Sequence, residues 1–277
     1  MMRFSKMHGA GNDFVVLDLR DGQQPPTAAL CQQLADRHMG VGCDQVLTIE
    51  PASTADSVAR YRIWNADGSV SGQCGNGARC IAAWLVREGV APADRDFLLE
   101  SPAGLHAVQQ DAHGGFCIDM GAANFTPSSI PLLAETTQPR YTTQGSTHSL
   151  QFGAVSMGNP HAVLEVDDCA TADVTTLGPL LQGCGLFPES ANIGFAQVLS
   201  PTAIRLRVFE RGAGETLACG SGACAAVAIL TRWGKLRENS PIEVHLPGGT
   251  LYIRYDNITG HLVMCGPATF VFEGVLP

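Results

Sequence analysis

Gln73-Cys74-Gly75-Asn76-Gly77-Ala78-Arg79 and Ala218-Cys219-Gly220-Ser221-Gly222-Ala223-Cys224 are two versions of one pattern. Each sets a cysteine and two glycines directly before an apolar run. The runs are Cys80-Ile81-Ala82-Ala83-Trp84-Leu85-Val86 and Ala225-Ala226-Val227-Ala228-Ile229-Leu230, and each stops at a glycine, Gly89 or Gly234. The pattern predicts a loop, a helix N-terminus, a buried helix and a glycine C-cap, twice over. Both cysteines then fall where unpaired helix N–H groups and the positive end of the macrodipole gather.

The likeness extends outward from the two motifs. Setting residue 61 against 206 gives an ungapped alignment at an offset of 145, running to Phe125 against Phe270 with 16 identities in 65 positions. Average residue usage would give roughly four. Arg62/Arg207, Pro102/Pro247, Gly104/Gly249, Asp111/Asp256 and Gly121/Gly266 are among them. An earlier fragment, Val41 to Leu47, resembles Ile193 to Leu199 at a shifted offset. The chain therefore reads as a duplicated unit of about 140 residues: α+β, two pseudo-symmetric domains, each a mainly antiparallel, barrel-like sheet around a central buried helix. The boundaries are 1–120 with a returning C-terminal strand 267–277, and 121–266. The exit segments Gly121–Phe125 and Gly266–Phe270 are expected to cross from one domain to the other. Thr126 to Gly145, with Pro127, Pro131 and Pro139, reads as a linker.

Local patterns place the remaining elements. Met7 to Asp13 is a turn-rich loop before the apolar strand Phe14–Leu19. Thr27 caps a helix with Leu30, Leu34 and His38 on one face and Gly40 at its end. Val46–Ile49, Tyr61–Trp64, Phe97–Leu99, Leu105–Val108 and Phe116–Ile118 are strand candidates.

Composition excludes several classes. A net charge of −9 over 277 residues lacks the basic face of a nucleic-acid binder. No apolar run is long enough to span a membrane, and the N-terminus has no signal-peptide core. A cytoplasmic protein is expected. With no secretory context, the ten cysteines read as free thiols, and Cys31, Cys117 and Cys169 as small core residues. Only Lys6 and Lys235 could carry a pyridoxal Schiff base, and no phosphate-binding glycine pattern follows a strand. The four- and five-residue gaps between neighbouring cysteines, without a histidine pair, do not form a metal site.

Either cysteine motif alone reads as a buried structural turn. The repeat at matched positions points to chemistry. Inverting a carbon stereocentre needs a base on one face and an acid on the other, and a thiolate with a thiol supplies both. A free cysteine titrates near about 8.5, and a helix N-terminus commonly lowers that value. N–H groups at Gly75-Asn76 and Gly220-Ser221 suit a substrate carboxylate and the charge that develops when an α-proton leaves. Met157-Gly158-Asn159-Pro160-His161 forms a polar turn. Glu210-Arg211 lies near Cys219 in sequence, and the positional counterpart of Glu210 is Asn65. The divergence suits a substrate whose two ends differ.

At these residues the chain resembles the diaminopimelate epimerase family. The matching stretches are Ser5–Phe14, Ala35–His38, Asn65–Ser69, Gln73–Cys80, Val155–His161, Ala191–Phe195, Glu210–Thr216 and Ala218–Cys224. The resemblance implies a cofactor-independent epimerase interconverting LL- and meso-diaminopimelate in bacterial lysine and peptidoglycan-precursor synthesis, and a homodimer. It implies Cys74 and Cys219 as acid/base residues. It implies substrate contacts from Asn12, Gln45, Asn65, Gly75, Asn76, Asn159, Asn192, Glu210, Arg211, Gly220 and Ser221, with His161 and Glu210 tuning the reacting end. Cys43 departs from the family pattern, which often has an apolar residue there. Two rivals share features of the sequence. A proline racemase or hydroxyproline epimerase has the same two-cysteine plan but no distal end for Asn65, Asn192 and Arg211 to hold. A non-catalytic amino-acid-binding or redox-sensing protein would use the cysteines differently.

Overall fold

The computed structural model describes residues 2–72, 74–111, 115–143 and 149–276. Gln73 of the opening motif, the last two linker residues (144–145) and Pro277 lie outside the described residues. The chain divides into two compact units, Met1–Asp119 with Cys265–Pro277, and Met120–Met264.

The first unit runs β1 (Met2–Gly9), β2 (Asn12–Asp18), α1 (Ala28–Ala35), β3 (Gln45–Glu50), β4 (Ser57–Asn65), β5 (Val70–Ser71), α2 (Gly75–Arg87), β6 (Phe97–Ser101), β7 (Gly104–Gln110) and β8 (Phe116–Ala122). β1 and β2 form a hairpin closed by Gly9 opposite Asn12. Ala10 and Gly11 between them have φ of 53° and 88°, the two positive values a tight two-residue hairpin turn requires. β2 pairs parallel to β3, and β4 parallel to β6, each pair joined through a helix as a parallel connection demands. The other neighbours, β3–β4 and β6–β7, are antiparallel, so the sheet is mixed.

The second unit repeats the plan with β9 (Tyr141–Thr142), β10 (Gln151–Ser156), β11 (Pro160–Glu165), α3 (Val174–Gln182), β12 (Asn192–Ser200), β13 (Ala203–Glu210), β14 (Gly214–Thr216), α4 (Gly220–Arg232), β15 (Pro241–Leu246), β16 (Gly249–Tyr255) and β17 (His261–Gly266). β11–β12 and β13–β15 are parallel, again across helices. The last strand, β18 (Thr269–Leu276), pairs antiparallel with β1, setting Thr269 opposite His8. At the offset of 145, its counterpart Asn124 bridges Ser156 at the end of β10.

In each unit one helix is buried almost whole. Eleven of the 13 residues of α2 and eleven of the 13 of α4 are shielded from solvent; α4 is small and apolar nearly all round, while α2 also buries Asn76 and Arg79, which hydrogen-bond to each other. Both end in the same glycine motif. Gly89 and Gly234 each have φ of 69°, and the N–H groups of Val90 and Lys235 reach back to the carbonyls of Leu85 and Leu230 at 2.9 and 3.0 Å. α1 covers Val15, Leu17 and Val46, and α3 covers Ile193 and Phe195. Strands covered on both faces read as unbroken apolar runs, as Phe14–Leu17 does.

Two expectations are corrected. Thr27 caps α1 through Oγ1 to the Leu30 N–H, but the helix stops at Ala35. The Asp36 carboxylate takes the N–H groups of His38 and Met39 at 2.7 and 2.8 Å, turning the chain before another helical turn forms. His38 is therefore exposed and off the helix, and Gly40 is not its cap. Cys117 is not a free core thiol. It is joined to Cys265, 148 residues away, so no local spacing marked the pair.

The turn after α1 is tied back to the first hairpin by charge. Buried Lys6 donates to Asp13 Oδ2 at 2.6 Å and to the Gly42 carbonyl. Arg37 reaches Asp13 Oδ1 and Asp44 Oδ1, both at 2.8 Å. Burial works against the Asp13 carboxylate, but bonds from Arg37 and Lys6 outweigh it and hold the group at about 2. A depressed carboxylate stabilises the fold above its unfolded value of 3.8, and that stability is lost as pH falls through its folded value. Asp13→Asn should therefore cost about 2 kcal/mol near pH 6, with the gap to the parent closing between about pH 4 and 2. Urea titrations across that range check it, and a pH-independent gap contradicts it. Peptide mapping without reductant should recover Cys117 linked to Cys265. Replacing both by alanine should lower the unfolding free energy by about 2–4 kcal/mol, since the link closes a long loop; an unchanged urea midpoint would count against it.

Candidate active site

Cys74 and Cys219 are the N-caps of α2 and α4. Each has extended backbone, and each sulfur accepts the N–H of the residue three further on, Gly77 or Gly222, at 3.4 Å. Oxygen-bearing side chains normally fill this position. The second glycine of each motif leaves room for the cap. A Cβ at Gly222 would lie 3.1 Å from the Cys219 sulfur, and one at Gly77 would lie 3.2 Å from Leu47 Cδ2.

In the first unit, Cys74 is partly exposed. Its sulfur lies 3.6 Å from Asn12 Oδ1, which also accepts from Asn76 Nδ2 at 3.2 Å. Asn76 and Arg79 lie one turn apart on α2, and Arg79, fully buried, donates to Asn76 Oδ1 at 2.8 Å. Gln45 Nε2 donates to Asn65 Oδ1 at 2.9 Å, and Asn65 donates on to Ser69. Cys43 is buried, and burial pushes its thiol up to about 11, an inert core group.

In the second unit, Cys219 is buried, with Ser221 Oγ 3.6 Å from its sulfur. Burial, then the neighbouring Glu210 carboxylate, push the Cys219 thiol well above its ordinary value, overriding the helix terminus that was expected to lower it. Glu210 accepts from Thr216 Oγ1 at 2.5 Å. His161 is buried; desolvation, then the charge of Arg211, push it down to about 3, so the imidazole stays neutral. Its Nε2 lies 2.9 Å from Asn159 Oδ1, and Asn159 Nδ2 reaches Ser221 Oγ at 3.4 Å. Asn192 Oδ1 takes the backbone N–H of Arg211 at 2.9 Å, while the exposed Arg211 guanidinium meets the Glu189 carbonyl at 3.0 Å.

Strand register extends the duplication past the point where sequence identity fades. Gln45 stands opposite Asn65. Ile193 stands opposite Phe209, which sets Asn192 against Glu210. Asn65 and Glu210 are 145 apart, so Gln45 corresponds to Asn192. Phe14 pairs with Gln45 and His161 with Asn192, so Phe14 corresponds to His161 and Asn12 to Asn159. The fragment match that set Val41 against Ile193, and so Gln45 against Gln197, is out of register by five residues. Backbone pairing conserves position where side chains have diverged. The structure also brings in three residues that no motif singled out for a role: Asp13, Asp44 and Arg79. Asp13 and Arg79 were marked only by lying within matched stretches, and Asp44 by lying in the Val41–Leu47 fragment.

Comparison with known proteins gives a consistent result. The family model for diaminopimelate epimerase matches residues 4–126 and 153–271. A diaminopimelate epimerase of Xanthomonas axonopodis pv. citri (strain 306) is 55% identical over 274 residues, spanning 99% of this chain and 95% of its own. One from Xylella fastidiosa (strain M12) is 54% identical over 275 residues, spanning 99% and 96%. Among solved structures, a probable proline racemase from Agrobacterium radiobacter K84 superposes with a TM-score of 0.71 at 15% identity, covering 100% of this chain and 93% of that one. A predicted epimerase from Pseudomonas aeruginosa gives 0.70 at 18%, covering 100% and 99%. These two share the fold; the high-identity relatives, over nearly the full length, carry the family. This chain belongs to the diaminopimelate epimerase family.

Proposed function

We propose that the protein interconverts LL- and meso-diaminopimelate without a cofactor, with Cys74 and Cys219 as the two proton-transfer groups. The observation that carries this reading is the pair of cysteine N-caps on matched buried helices, each surrounded by register-equivalent polar side chains. In one direction a thiolate takes the α-proton, forming S–H as the C–H bond breaks. The electron pair spreads into the α-carboxylate. The other cysteine then gives its S–H proton to the opposite face, leaving a thiolate, and the reverse reaction exchanges the roles. Backbone N–H groups at Gly75-Asn76 and Gly220-Ser221 hold the carboxylate and meet its growing charge.

The side chains divide the remaining work. Cys219 keeps its proton because burial, and then the Glu210 carboxylate beside it, disfavour a thiolate. A substrate ammonium beside Glu210 removes that repulsion and brings the thiol toward the range of proton exchange. Neutral His161 orients Asn159 without adding charge. Asn12, Gln45, Asn65, Asn159, Asn192 and Arg211 contact the substrate, with Arg211 and the asparagines on the distal amino-acid end. That end distinguishes diaminopimelate from proline-type substrates. The reaction serves lysine and peptidoglycan-precursor synthesis in the cytoplasm. No helix among the described residues is long and apolar enough to cross a membrane.

A homodimer accompanies this reading. β18 hydrogen-bonds to β1 and leaves Val271, Phe272 and Val275 about half exposed, apolar strand surface of the kind a second copy covers. Sedimentation should give twice the chain mass, and Phe272→Glu should shift it toward the monomer; a monomeric parent would refute the dimer. Reduced protein incubated with LL-diaminopimelate in D₂O should exchange its α-proton with no added cofactor. Cys74→Ala and Cys219→Ala should each abolish epimerisation. Full activity in either variant rules out the two-base scheme, and exchange of proline in place of diaminopimelate would favour a racemase.

A further inference from the structure

The hydrogen bonds around Cys74 have a fixed direction. Arg79 can only donate, so the oxygen of the Asn76 amide must face it, at 2.8 Å. Asn76 then presents Nδ2, and the atom it meets at 3.2 Å is Asn12 Oδ1. At the other end, the Asp44 carboxylate can only accept. Asn12 Nδ2 donates to it at 2.8 Å. An obligate donor and an obligate acceptor thus hold both amides, and neither can turn over without losing bonds at each end. Both ends are anchored. Arg37 holds Asp44 Oδ1 at 2.8 Å, and Asp44 Oδ2 also takes the Asp13 N–H at 3.2 Å. Gly9 lets the buried end approach, since a Cβ there would lie 3.1 Å from Arg79 Nη2 and 3.2 Å from the Asn76 carbonyl oxygen.

The outcome is a carbonyl oxygen 3.6 Å from the Cys74 sulfur. A thiol donates to such an oxygen, whereas a thiolate is repelled by it. The second unit lacks both fixed ends. By register and offset, Asp44 corresponds to Ala191, Arg79 to Cys224 and Asn76 to Ser221. There Asn159 turns its oxygen to His161, and Cys219 has a rotatable hydroxyl beside it instead of a fixed carbonyl.

We propose that Asp44 and Arg79 are positioning residues that hold the Asn12 carbonyl against the Cys74 thiol, keeping that thiol protonated until a ligand engages Asn12. The purpose assigned to the device rests on Cys74 acting in epimerisation. Its existence can be read without turnover. The test is the rate of Cys74 alkylation by iodoacetamide in substrate-free protein at one fixed pH, followed by mass spectrometry of its peptide. Cys219 in the same sample is the internal control.

Asp44→Ala removes the acceptor that fixes Asn12 Nδ2 and loosens the hold of the Asn12 carbonyl on the sulfur, so Cys74 should react faster by about threefold or more, with Cys219 unchanged. Asp44→Asn removes the charge but keeps an oxygen for Asn12 Nδ2, and should stay within about twofold of the parent. Adding Asp44→Ala to Asn12→Leu should give no further acceleration. Equal acceleration in Asp44→Ala and Asp44→Asn, or an additive effect in the Asn12→Leu background, would show a direct charge effect and overturn the proposal. So would faster reaction of both cysteines, which marks general loosening, or an unchanged Cys74 rate. A protein that passes this test yet exchanges no α-proton would lose the assigned reaction and keep the positioning chain.

Discussion

The rest of the structure depends on a sulfur at the start of a buried helix. At Cys74 and again at Cys219 the side chain caps its helix, taking the N–H of the third residue beyond at 3.4 Å. This ties reactivity to folding. The helix must be buried for the cap to sit among side chains from the strands, and burying a helix on every face requires the small and apolar residues that follow each motif. The glycines are part of the same constraint. Gly77 and Gly222 stand where a side chain would press on Leu47 or on the capping sulfur itself.

Burial sets a second condition that opposes the first. A helix terminus favours a thiolate, while removal from water disfavours it. At Cys219 the second effect wins, and Glu210 adds to it. Beside Cys74 an amide oxygen, that of Asn12, lies 3.6 Å from the sulfur, held by Asn76 and, behind it, buried Arg79. The duplicated halves have therefore kept their backbone and diverged in what surrounds the sulfur. Phe14 against His161, Asn65 against Glu210 and Arg79 against Cys224 are the substitutions that make them chemically unlike. That difference is what an epimerase acting on one end of a nearly symmetric molecule requires.

Much of this was legible in the chain itself. The two buried helices, their caps and the offset of 145 follow from local rules: glycine where φ must be positive, apolar residues where a helix is covered, and identity where the duplicated backbone has tolerated no change; α3 was not read from the sequence. The candidate residues lie in motifs that could be quoted before any coordinates. The α1 boundary was not legible, because the Asp36 carboxylate, by taking the N–H groups of His38 and Met39, decided it. The five-residue error in matching Val41 to Ile193 arose because chance likeness in a short fragment outweighed a register that only pairing reveals.

The sequence alone determined that there are two equivalent helix starts, each with a cysteine, and which family they resemble. Tertiary structure decided what no linear pattern can encode: that Cys117 meets Cys265 from 148 residues away, that Asn12 corresponds to Asn159, and that Arg79 and Asp44 close a directed chain of amides beside Cys74. The physical reason is the range of the interactions. Caps, turns and periodicity act over a few residues and leave their mark in spacing. Pairing, burial and the direction of a hydrogen-bond chain depend on groups far apart in the chain, and exist only once the strands are in register.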